Sequence, residues 1–199
     1  VGGVLQLFVE VLKTGVVVCA KREIAFKVYK AFRKVRPDWF DAKPYLDDGR
    51  VKDDEKAKLK DMPFINLVGT QGENDPKEMY EAFGDKAHRE DLAAQFKLEH
   101  SNFRIAIVVD MWITGFDVPN LCIMYNDKPL QKQTLVQTIS RVNRNYQVSK
   151  EVKKEYGLIV DYIGIYENMR EAMKKYGGDV EIVYLPDIGI FGNTHFLMA

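Results

Sequence analysis

Five short apolar runs punctuate the chain, at residues 15–20, 64–69, 103–110, 121–126 and 157–162. Most are rich in Val and Ile, and their apolar residues are continuous rather than alternating. Continuous apolar strands predict a sheet covered on both faces, which is typically parallel. Between the runs the period lengthens. Ile24, Ala25, Val28, Ala31, Phe32 and Val35 share one face of a helix predicted over Arg22–Val35. Leu92, Ala93, Phe96 and Leu98 mark a helix over 89–99. Leu135, Val136, Ile139 and Val142 mark another over 130–142, and a weaker amphipathic pattern covers 165–176. Strands alternating with helices predict βαβ units in a three-layer α/β sandwich. Such sheets place functional loops at the carboxyl ends of their strands, so chemistry is expected just after each strand.

Two stretches break this rhythm. Residues 37–63 are charged and turn-rich and read as an exposed insertion or long loop. Residues 71–85 form a polar connection with room for a short helix. From Gly177 a Gly-Gly break opens a tail that reads as a truncated crossing into another domain. The expected organisation is therefore one α/β domain over 1–176 and a connection over 177–199.

Composition narrows the classes. Lysine and arginine total 29, as do aspartate and glutamate, so net charge does not advertise nucleic-acid binding and any such contact must be a local patch. Cys19 and Cys122 lie inside apolar runs and read as buried thiols in a reducing, cytoplasmic compartment. No Cys/His cluster suggests a metal. No apolar run approaches the roughly 20 residues that span a bilayer, so no membrane partner is expected. The start lacks a basic n-region and an initiator Met, which suggests an excised fragment carrying half of a shared site.

Two blocks carry chemistry. In IAIVVDMWITGFDVPNL (105–121), a strand is followed by Thr114-Gly115-Phe116-Asp117. Gly115 permits close backbone approach. Asp117 offers a carboxylate, expected at the strand's carboxyl end, suited to a ribose hydroxyl or a neighbouring Arg; a plain βα turn with Asp as a helix cap is the alternative. In QTLVQTISRVNR (133–144), Gln137, Arg141 and Arg144 are spaced by four and three residues, which puts them on one helix face. Paired guanidiniums suit a phosphate because each forms planar bidentate hydrogen bonds and stays charged; a solvated basic face is the alternative.

Together the blocks resemble motifs V and VI of superfamily 2 helicases. The wording TGFDVP, MYNDKPL, LVQTISRVNR and GLIVDYIG resembles the R subunits of type I restriction enzymes, from about residue 103 to 165. Val18–Arg22 would occupy the place of motif IV. The resemblance implies a RecA-like (P-loop NTPase-type) domain, the second motor domain of an ATP-dependent DNA translocase. It implies Arg144 as an arginine finger, with Arg141 on the same phosphates. Gly115 and Asp117 would face the ribose side of ATP, and Gln137 would orient water or couple to the neighbouring domain. Lys21, Arg22 and Thr114 are implied as contacts to the DNA backbone. ATP and Mg²⁺ would be held mainly by an upstream RecA-like domain, since GxxxxGK[ST] and a metal-binding Asp-Glu pair are absent here. The implied partners are double-stranded DNA, that upstream domain, and the methylation and specificity subunits. On this reading the parent cuts DNA and the chain alone is inactive. Val109 stands where many superfamily members carry a DNA-contacting Thr. Gly is replaced by Ser140 in motif VI, a small residue expected to preserve close packing. Pro37-Asp38 followed by Asp41-Ala42-Lys43 is too compressed for a nuclease site and reads as turn chemistry. Another superfamily 2 motor, or a non-enzymatic α/β binding module using the Arg pair for a protein or RNA contact, are the competing readings.

Overall fold

The computed structural model describes residues 14–109, 111–112, 116–130, 132–142, 144, 146–147, 153–154, 157–161 and 171. The expected helix over 165–176 and the boundary at 176/177 lie outside these, Glu171 aside, as do Thr114 and Gly115.

All five predicted strands form: β1 (Thr14–Cys19), β2 (Ile65–Val68), β3 (Ile105–Val109), β4 (Leu121–Asp127) and, near the end of the chain, β7 (Leu158–Asp161). They pair side by side in the order β2-β3-β1-β4-β7, every pair parallel. The helices are α1 (Arg22–Val35), the short α2 (Asp53–Lys56), α3 (Lys77–Phe83), α4 (Lys86–Lys97) and α5 (Lys132–Val142). A two-residue antiparallel pair, β5 (Tyr146–Gln147) and β6 (Lys153–Lys154), lies between α5 and β7.

Both faces of the sheet are covered, which is why its strands are mostly apolar. Cys19, Ile65, Leu67 and Ile107 pack under α1 and α3 through Ala25, Met79 and Phe83. Val18, Val68, Ala106, Val108 and Met124 pack on the other side with Leu92 and Phe96 of α4 and Val142 of α5. The chain steps one way past β3 to reach β2, using α1. Every later step runs the other way: β2 to β3 through α3 and α4, β3 to β4 without a helix among the described residues, and β4 to β7 through α5. Crossovers of one hand put helices serving opposite steps on opposite faces; α1 lies opposite α4 and α5 accordingly, while α3 packs on the face of α1.

Two boundaries differ from expectation. Helix α4 starts at Lys86, not Arg89, because Asp85 accepts a hydrogen bond from the His88 N–H (2.8 Å) and caps it; such a cap contributes about 1 kcal/mol. Residues 37–63 are mostly exposed, as expected, but they form a pinned strap rather than a loose loop. Trp39 packs at a tilt against Phe64, ring centroids 4.9 Å apart, and its carbonyl accepts the Phe64 N–H. Lys43 and Met62 exchange backbone hydrogen bonds, Val51 and Met62 are buried, and Glu55 holds both the backbone N–H and the ring Nδ1 (2.9 Å) of His100. Asp38 pairs with Arg36 at 2.9 Å, as turn chemistry requires.

Both cysteines are free and buried. Burial, reinforced by Asp127, pushes the Cys19 thiol up to about 12; burial pushes Cys122 up to about 11.

Candidate functional site

The connection from β3 to β4 crosses the sheet from the carboxyl end of one strand to the amino end of the next. Phe116 and Asp117 fall toward its far end. Helix α5 runs back against the strand direction, so its last turn reaches the amino end too. Its terminus is so close to β7 that a Cβ on Gly157 would lie 2.2 Å from the Val142 carbonyl oxygen. The two blocks therefore meet. Arg141 Nη1 donates to the Phe116 carbonyl at 2.6 Å, and Arg144 Nη1 forms an ion pair with Asp117 Oδ1. Asp117 is expected from the sequence at the carboxyl end of its strand, and the arginines on one face of a helix. They sit at the amino end of the sheet, because the connection and α5 both run the length of a strand before presenting them.

The two guanidiniums differ. Arg144 is 44% exposed and Asp117 59%, so the pair contributes only about 0.2–1 kcal/mol and opens easily to another anion. Arg141 is half-buried. Its Nε is sealed from solvent without a hydrogen-bond partner among the described residues, an arrangement that in folded proteins asks for an explanation. Gln137 and Ser140 are exposed on α5, and the Ser140 hydroxyl donates to the Gln137 carbonyl at 2.8 Å. The close packing expected at Ser140 is therefore not found.

Lys154 on β6 completes this end. It is fully buried, and its Nζ donates to the Leu121 carbonyl at 2.5 Å. Burial holds its amine below the ordinary lysine range, with Cys122 opposing and nearby Arg144 adding to the shift. Nothing in the Lys153-Lys154 pair distinguishes it in sequence from a surface charge.

An aromatic cluster supports the Phe116–Asp117 segment. Trp112 and Phe116 stack at 4.2 Å with 7° between their planes. Phe96 of α4 lies 5.2 Å from Trp112, and Lys97 Nζ sits 4.7 Å from the Phe116 ring centroid. Trp112 has φ 62°, the one positive value at a non-glycine residue among those described. A bulky side chain there costs on the order of 1–3 kcal/mol and persists only where its surroundings over-determine it. Two rings four residues apart were visible in MWITGF; their stacking was not.

Lys21 and Arg22 lie at the carboxyl end. Ala20, Lys21, Arg22, Glu23, Thr70 and Val109 line a cleft of about 330 Å³ where β1, β2 and β3 finish. Lys21 is exposed. Arg22 is engaged: Nη1 donates to Asp75 Oδ2 at 2.5 Å and to the Thr70 carbonyl at 3.3 Å. The Asp75 side chain is only 6% exposed and also accepts the Gly72 N–H at 2.7 Å. A Cβ on Gly72 would lie 2.2 Å from Arg22 Nη1, so a larger residue there would have to displace the guanidinium.

Against known families, residues 16–164 match the model described as type I restriction enzyme subunit R domain 3. The chain belongs to this family. Among its curated relatives, the HindI endonuclease subunit of Haemophilus influenzae is 31% identical over 159 residues, 80% of this chain and 13% of that protein. The MjaIXP endonuclease subunit of Methanocaldococcus jannaschii is 38% identical over 135 residues, 67% of this chain and 12% of that protein. This R domain 3 chain thus spans about an eighth of the length of those subunits. Among solved structures, domain 2 of the DEAD-box helicase Mss116p bound to an RNA duplex covers 87% of the chain at 14% identity and TM-score 0.42, a likeness too distant to carry an argument.

Proposed function

We propose that this domain is the second RecA-like motor half of an ATP-driven DNA translocase in a type I restriction enzyme R subunit. The observation that carries this reading is the meeting of Arg141 and Arg144 with Phe116–Asp117 on an exposed surface at the amino end of the sheet. The set suits a nucleoside triphosphate: one exposed guanidinium in a weak pair and one half-buried guanidinium with an orphan N–H as donors to phosphate, and the Asp117 carboxylate as an acceptor for a ribose hydroxyl.

On this reading the preceding domain presents ATP with Mg²⁺, which supplies the phosphoryl group transferred to water. Arg144 leaves Asp117 and donates to phosphate oxygens, as an arginine finger does. Arg141, anchored through Nη1, turns its free Nε–H toward the same charge. Asp117, released from its pair, faces the ribose with Gly115, and Gln137 on the exposed side of α5 orients water or engages the neighbouring domain. Closing the two domains excludes water and strengthens each of these interactions. At the other end of the sheet, Lys21 touches the DNA backbone, and Thr114 is assigned to the same backbone; such contacts position the strand without reading sequence. Arg22 serves there by holding the loop after β2. The methylation and specificity subunits are the expected partners of the whole assembly, and DNA cleavage belongs to the parent rather than to this chain, which alone is inactive.

The test uses the intact R subunit. Arg144→Ala should lower DNA-stimulated ATP turnover by about 10³-fold or more with an unchanged circular dichroism spectrum. Undiminished turnover overturns the assignment.

A further inference from the structure

We propose that Trp112, through its stack on Phe116, is the positioning residue that aims the Arg141–Arg144 pair. The inference rests on the phosphate-binding reading of those arginines and names what holds them in place. Phe116 is the hinge of the cluster. Its carbonyl receives Arg141, and the next carboxylate in the chain receives Arg144. A rotation of the Phe116 backbone therefore moves the anchors of both guanidiniums together.

The Phe116 ring ties this segment to the body of the domain, with Phe96 6.4 Å from it. Trp112 covers the ring at 4.2 Å, and Lys97 lies 4.7 Å from its centroid. Trp112 is in turn seated on Phe96, which packs against Phe103 at 4.8 Å in the core. A continuous set of contacts thus runs from α4, through Trp112 and Phe116, to both arginines. The left-handed backbone of Trp112 (φ 62°) is the second sign. A glycine would adopt it without strain, so retaining an aromatic side chain there is explained by what the ring does. Stacked rings resist sliding and tilting, and a displacement of about 1 Å in a catalytic group can cost about 100-fold in rate.

The experiment compares Trp112→Gly, Trp112→Phe, Arg144→Ala and the Trp112→Gly/Arg144→Ala double variant in the intact R subunit. Glycine removes the ring while relieving the backbone, which protects folding. DNA-stimulated ATP turnover is read as kcat and KM separately, with melting temperature as the control. Expected results are a fall of about 10- to 100-fold in kcat for Trp112→Gly at little changed KM, recovery to within a few-fold in Trp112→Phe, and a double variant no slower than Arg144→Ala. Non-additivity of this kind marks residues acting as one unit. A full loss in Arg144→Ala with normal turnover in Trp112→Gly overturns the positioning role and leaves the arginine assignment standing. Independent, multiplying losses in the double variant overturn it as well. If Arg144→Ala turns over normally, both fall, whatever Trp112→Gly does.

Discussion

At the carboxyl end of β1, the Arg22 guanidinium is clamped by a nearly buried carboxylate and a backbone carbonyl. At the amino end of β4, Arg144 meets a carboxylate that is itself more than half exposed. The two pairs involve the same two residue types and similar contact geometry. What separates them is water. Asp75 has lost its solvent and depends on Arg22, whereas Asp117 keeps most of its hydration and can release Arg144 at little cost. An arginine read from sequence as a ligand donor can be either kind, and burial of its partner decides which.

The contrast can be broken by four measurements. The largest effect belongs to the amino end: Arg144→Ala should remove DNA-stimulated ATP turnover by about 10³-fold or more without loosening the fold. Arg22→Ala should do the reverse. Stranding Asp75 should cost about 1–3 kcal/mol locally, so amides of residues 70–75 should exchange with solvent about 10- to 100-fold faster. If Arg22→Ala leaves exchange untouched, the clamp is not structural. Lys21→Ala, beside it but exposed, should change neither exchange nor fold. Instead the slope of log DNA affinity against log salt should shrink by about 0.9, the signature of one lost phosphate contact; an unchanged slope removes Lys21 from the DNA track. The smallest effect concerns alkali. Tyr146 is held above its ordinary 10.0 by burial and by its hydrogen bond to Glu99. A phenol whose folded pKa is raised contributes stability that is complete below pH 10 and fades as pH rises past it. Tyr146→Phe should flatten the fall in stability above pH 10, followed by circular dichroism. An identical alkaline curve would show that this contact does not couple β5 to the loop that follows α4.

Much of the fold was legible because its cause is local. Runs of Val and Ile at 15–20, 103–110 and 157–162 have one physical outcome in a chain that also carries amphipathic helices, and the sheet follows. The meeting of Phe116–Asp117 with the arginines was legible only through motif resemblance, since the partners lie 25 and 27 positions apart in the chain. Which end of the sheet they would occupy was not legible. That depends on how far the β3–β4 connection travels before it turns, and composition does not encode distance. The pairing of Arg22 with Asp75 spans 53 positions and leaves no periodic mark. The strap over 37–63 was hidden by its own charges: a few anchors, Trp39, Val51 and Met62, hold a segment whose remaining residues face water. Lys154 was missed for the opposite reason, a charged side chain placed where carbonyls substitute for solvent.

The sealed thiols have a practical consequence. With both native cysteines of the chain at 0% exposure and resistant to ionisation at neutral pH, alkylating dyes should ignore them. A single cysteine placed on the exposed face of α5, at Ser140 for instance, would then take a fluorophore at one known point, so that opening and closing against a neighbouring domain could be watched as a change in energy transfer, with the native cysteines of this chain left in place.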